Sequence, residues 1–131
     1  MVISLLIILA IVLGSKVVYK DNFAILTGTI TGDGTESPSK TINYPEGFTK
    51  SNCVVLSSNL QRSSTTSKAY GSVYDSSSYV AGAIPTKIAL TDSNISLEIR
   101  NILLSNNSVN ISELSSSVSY TYTIVLMKIG D

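Results

Sequence analysis

From residue 118 to residue 127 the side chains alternate with a period of two. Val118, Tyr120, Tyr122, Ile124 and Leu126 fall on one face, and Ser119, Thr121 and Thr123 on the other. Such alternation is the pattern of a strand with one face on a core and one on water. Beyond Thr123 both faces become apolar through Met127, which predicts a central strand covered on both sides. A second alternating run, residues 95–100, puts Ile95, Leu97 and Ile99 opposite Ser96, Glu98 and Arg100. No helical period competes with these runs from Asn22 onward, so the body of the chain is expected to be all-β.

Turn signals divide that body into short strands. Residues 23–31 are followed by Gly32-Asp33-Gly34, an Asp-Gly hairpin signal, and residues 40–44 are the expected return strand. Pro45 and Gly47 form a turn, one fixing φ and the other permitting a positive φ. Cys53-Val54-Val55-Leu56 then reads as a β-branched strand buried on both faces. Residues 61–67 are Ser/Thr-rich and are expected to form an exposed loop. The runs 68–74 and 79–84 flank the hairpin loop Asp75-Ser76-Ser77-Ser78, and Asp92-Ser93-Asn94 turns between 86–91 and 95–100. Pro85 is expected at a strand edge or start, because it cannot donate to a ladder. Six to eight strands with short polar turns predict an antiparallel β-sandwich or jelly roll over residues 20–131.

Residues 1–19 differ in character. Residues 2–13 are almost wholly apolar and end at Gly14-Ser15-Lys16. The run is shorter than the roughly 20 apolar residues of a membrane-spanning helix, and extending it through Val17-Val18-Tyr19 places Lys16 inside the span. No basic residue precedes it, as a secretory signal requires. Lys16 and Lys20 follow it, and the positive-inside rule would hold the β body in the cytoplasm. Three readings stay open: a short helix buried in an oligomer, a membrane anchor through residues 2–19, or a cleaved signal with an atypical start. Helix is favoured over strand, although the β-branched content also suits a buried strand.

The residue inventory removes several function classes. The chain carries nine Lys plus Arg and nine Asp plus Glu, so it has no net field to attract nucleic acid. It has no histidine, which excludes Ser-His-Asp and Cys-His nucleophile pairs and His-based zinc sites. A single cysteine, Cys53, excludes an intrachain disulfide and reads as a small buried hydrophobe. Ser37-Pro38-Ser39-Lys40 matches the Ser-x-x-Lys pattern of penicillin-binding enzymes, but that chemistry needs a helix, which Pro38 and the strand-like Thr41-Ile42 oppose. Asp33 and Glu36 supply too few carboxylates for a calcium site. The Asn-x-Ser triplets at Asn94, Asn106 and Asn110 are what an Asn- and Ser-rich chain produces by chance. No enzyme, cofactor or metal is expected.

Charged residues make up only 14% of the chain, against roughly 25% in an ordinary soluble domain, and Ser, Thr and Asn replace them. Such a surface suits extracellular or virion proteins and contact with carbohydrate. Tyr70, Tyr74 and Tyr79 surround the loop that begins at Asp75. Tyrosine among Ser, Asn and Asp offers rigid contact area with a polar tip, so Tyr70, Tyr74, Asp75 and Tyr79 are the expected ligand-binding residues. The competing assignment makes the tyrosines cross-strand partners on a half-buried sheet.

Four segments resemble the distal β-sandwich domains of tail fibres from phages of Gram-positive bacteria. They are Thr27-Gly28-Thr29-Ile30, Tyr44-Pro45-Glu46-Gly47-Phe48-Thr49-Lys50, Asn52-Cys53-Val54-Val55 and the closing 122–129 strand. The resemblance covers about residues 20–131 and consists of turns and core strands, so no binding residue is carried over by it. It implies a non-enzymatic, homotrimeric virion domain that contacts a host-surface glycan or protein. The chain departs from the pattern at its start, where a short apolar segment stands in place of a long shaft, and residues 2–19 are expected to be a buried assembly segment. The alternative is a bacterial surface subunit, anchored in a membrane or pilin-like and filament-forming, built on the apolar N-terminus.

Overall fold

In a computed structural model, the structure describes residues 16–19, 22–63, 69–70, 73–75 and 79–130. Among these residues there are ten strands and no helix. The strands are β1 (Lys16–Tyr19), β2 (Phe23–Thr31), β3 (Ser39–Ile42), β4 (Cys53–Arg62), β5 (Ala69–Tyr70), β6 (Val73–Asp75), β7 (Val80–Leu90), β8 (Ile95–Ser105), β9 (Ser108–Ser112) and β10 (Ser119–Lys128). They form two antiparallel sheets packed as a sandwich. One has the order β1-β2-β10-β4. In the other, β3-β8-β7-β6-β5, β9 shares the outer edge of β8 end to end with β3. The all-β antiparallel architecture is the one that the alternating runs predict. The apolar segment 2–13 lies outside the described residues. Residues 16–19, grouped with that segment by composition, pair with β2 as the edge of the first sheet.

The core is built from the inward parity of each strand. On β8, Ile95, Leu97 and Ile99 are fully buried, and on β10 Tyr120, Ile124 and Leu126 are, with Tyr122 almost so. Each such aliphatic side chain contributes about 1.5–3 kcal/mol on removal from water. β10 is central, between β2 and β4, as its doubly apolar end predicts. Its partner Gly28 on β2 has no room for a side chain, because the Tyr122 ring lies across it.

The turn at residues 45–52 is closed by the backbone bonds Phe48 N to Pro45 O at 3.0 Å and Asn52 N to Thr49 O at 3.3 Å, and by the Asn52 side chain. Asn52 is buried, its Oδ1 accepts from the Thr49 amide at 2.7 Å, and its Nδ2 donates to the Gly47 carbonyl at 2.9 Å. Gly47 takes the positive φ (84°) that its place in the turn requires. Phe48 is tucked into the core, with the Lys128 ammonium 5.2 Å from its ring centroid. The strand that follows departs from expectation. Cys53 is buried, but Val54 and Leu56 are exposed, because β4 is an edge strand and a bulge opposite Val125 and Leu126 leaves Leu56 unmatched.

Three further expectations are corrected. The Asp33-Gly34 segment does not close a hairpin: β2 lies in one sheet and β3 in the other. Its backbone bonds to the 114–118 loop instead, through Gly32 N to Val118 O and Gly34 N to Leu114 O, each at 2.9 Å. Pro85 stands inside β7 and not at its start, although on an edge of the strand that β6 leaves unpaired. It is tolerated there because β6 covers only residues 80–82 of the strand's other edge, and because the ladder with β8 slips between Pro85 and Lys87. The run 68–74 is divided between β5 and β6, which pair with each other.

Candidate functional site

One end of the sandwich is open. A cleft of about 300 Å³ lies between the sheets there, at the lower bound of small-molecule sites. Arg62 ends β4 on the inward parity, opposite Tyr120 in the ladder. From the other sheet come Tyr79, Ala81, Asn101 and Leu103, and the 112–115 loop closes the side. Ala81 and Leu103 are register partners, as are Ala83 and Asn101, so alternation aims this row between the sheets.

The cleft is lined by both polar and apolar side chains. Tyr79 is 39% exposed, and Asn101 is buried. The Arg62 guanidinium sits 5.9 Å from the Tyr120 ring centroid, and its Nη1 donates to the Tyr120 Oη at 3.4 Å. Burial pushes the Tyr120 phenol above its usual value, and Arg62 beside it pulls the other way. The proton therefore stays on Tyr120, which acts as a fixed support for Arg62. Glu113 is exposed, and with Ser112 and Ser115 it adds acceptors and hydroxyls to the rim. The arrangement offers one cation, one carboxylate, an amide, hydroxyls and an aromatic face. These are the groups that bind a neutral polyhydroxylated ligand in a fixed pose.

Of the expected binding residues, Tyr79 lines this cleft. Asp75 does not, because it pairs with Val80 on the outward parity of β6. The register sets position 70 opposite Val73 and position 74 opposite Ala69 and Ala81, so 70 and 74 fall on alternate faces of the ladder. The side-chain surroundings of Tyr70 and Tyr74, and residues 76–78, lie outside the described residues. Arg62, Asn101 and Glu113 were missed because they come from three separate strands and loops, and no local motif joins them.

Other candidates resolve into structure. Asp33 accepts from the Thr35 amide at 2.9 Å and from the Thr35 hydroxyl at 2.6 Å, which holds its carboxyl below the usual range. Among the described residues no three His, Cys, Asp or Glu side chains gather around a point that could hold a metal. Ser39 and Lys40 are in β3, where the one-turn spacing of a Ser-x-x-Lys site does not exist. Cys53 is buried, its Sγ donates to the Thr49 carbonyl at 3.1 Å, and burial raises its pKa. Among the described residues no helix is long and apolar enough to cross a membrane. Compared with protein-family models, curated proteins and solved structures, the chain finds no match in any of the three.

Proposed function

We propose that this chain is a non-enzymatic virion domain of a phage tail fibre that binds a host-surface glycan through the cleft at the open end of its sandwich. The observation that carries the reading is the cleft itself, whose lining brings together a partly exposed tyrosine, a buried amide, one cation and one carboxylate. A rigid aromatic face with directional polar groups suits a sugar ring, which has an apolar face and a hydroxyl rim. Arg62 and Asn101 stand on strands of the two packed sheets, which position them more firmly than a loop would. The low charge of the chain agrees with a neutral ligand, and the resemblance in the turns and closing strand supplies the tail-fibre context.

The test is adsorption of fluorescently labelled full chain to intact Gram-positive cells, before and after periodate oxidation or protease treatment of the cells. Loss on periodate, which cleaves vicinal diols, supports a glycan receptor. Loss on protease alone transfers the site to a protein receptor. No saturable adsorption across a panel of hosts overturns the reading.

A second reading, a filament-forming or membrane-anchored bacterial surface subunit, is favoured by the apolar residues 2–13 and by exposed apolar side chains on both sheets. Recovery of the chain in the membrane fraction, reversed by deleting residues 1–15, would select it.

A further inference from the structure

The outward face of the second sheet carries an apolar surface that nothing in the chain's described residues covers. Register fixes which residues share it. Asp75, Val80, Leu104 and Val109 form one row across β6, β7, β8 and β9, and Val73, Gly82, Ile102 and Ile111 form the next. Ile84 and Arg100 begin a third. Val109 is 69% exposed, Ile84 and Ile111 are each 48%, and Leu104 is 46%. Val73 and Val80 are also exposed. These fractions correspond to on the order of 500 Å² of contiguous apolar surface, at the upper end of what a monomer leaves open to water.

We propose that this face packs against the same chain in a second copy. The size of the patch is the first argument. A standard interface takes about 800 Å² from each partner, and homodimer interfaces are about 65% apolar. The apolar share required is therefore the area that this face offers. Shape is the second argument, because β-branched residues on a pleated sheet give a flat surface of the kind that stacks on another sheet about 10 Å away. Charge is the third. The chain is neutral, so its copies do not repel one another at long range. The patch is bounded by Asp75 at one end and, at the other, by Arg100, whose guanidinium lies 3.6 Å from the Glu98 carboxylate on the same face. The proposal concerns a different face from the cleft and stands or falls independently of the glycan reading.

The experiment is molar mass by light scattering on the full chain over a range of concentrations. The variants are Val109→Lys with Ile111→Lys, and, as a milder pair that keeps β-branching, Val109→Thr with Ile111→Thr. Far-ultraviolet circular dichroism checks that each retains its sheets. The expected result is an assembled wild type, with the concentration at half-assembly raised about tenfold or more in the Thr pair and assembly lost in the Lys pair. A monomeric wild type at micromolar concentration would overturn the proposal. So would variants that fold and assemble like the wild type, since the contact would then lie elsewhere, for example in residues 2–13.

Discussion

The ring of Tyr122 on β10 lies across Gly28, its register partner on β2, and fills the space where a side chain at residue 28 would stand. The pair closes the inner face of the first sheet below the cleft, because the large residue on one strand is matched by the smallest on the other.

Replacing Gly28 by Ala drives a methyl group into a ring that is almost fully buried, so the ring or the strand must shift. Overpacking of this kind costs about 1–3 kcal/mol. Urea unfolding of Gly28→Ala is expected to show that loss. Pairing it with Tyr122→Leu is expected to give less than the sum of the two single effects, because the two residues share one space.

Asn52 satisfies two backbone groups of the turn at residues 45–52 and is itself buried. Its replacement by Ala leaves the Thr49 amide and the Gly47 carbonyl without their partner, at a cost of about 1–3 kcal/mol. The same unfolding midpoint measurement checks it. A change under 0.5 kcal/mol would mean that water replaces the amide without loss.

Stability should be flat near neutral pH and fall on the alkaline side. The chain has no histidine to titrate between about pH 5 and 8. Burial raises the pKa of Tyr44, Tyr120, Tyr122 and Cys53 above their unfolded values. For an acid whose folded pKa is raised, the folded state holds the proton more tightly. The contribution is therefore complete below the unfolded pKa, about 8.5 for Cys and about 10 for Tyr, and is lost as pH rises through the folded value. Thermal midpoints should stay level from about pH 6 to 8 and decline above about 9. A maximum with flanks inside the neutral range would contradict this.

The thiol of Cys53 is expected to resist modification until the domain opens. It is buried, protonated and bonded to the Thr49 carbonyl. Labelling by an aromatic disulfide reagent should therefore be slow in buffer and fast in denaturant, and Asn52→Ala should accelerate it by loosening the turn that covers it. Fast labelling of the native wild type would contradict the placement.

Much of the fold was legible because its strands obey the simple two-residue period. Ile95, Leu97 and Ile99 lie inward as their alternation requires, and β10 is central as its doubly apolar end requires. Where the reading failed, a longer-range contact decided. The Asp33-Gly34 signal was outweighed by bonds between its loop and residues 114–118. Val54 and Leu56 are open because β4 took an edge, and edge or centre depends on strand order, which a local pattern does not contain. Strand β9 passed unnoticed, although its turn had a signal: Asn106 and Asn107 both take positive φ, at 47° and 64°, as a two-residue hairpin requires. The cleft was the least legible part. Tyr79 was found from its local composition, whereas Arg62, Asn101 and Glu113 meet it only once two sheets are packed.

The most direct test of the account is the adsorption isotherm of the full chain on Gram-positive host cells, comparing wild type with the double variant Tyr79→Ala, Glu113→Ala. Both side chains line the cleft, and neither belongs to the buried core cluster. The account predicts saturable wild-type binding, with half-saturation shifted about tenfold or more in a variant of unchanged thermal midpoint. Identical isotherms, or no saturable binding of the wild type to any host, would contradict it.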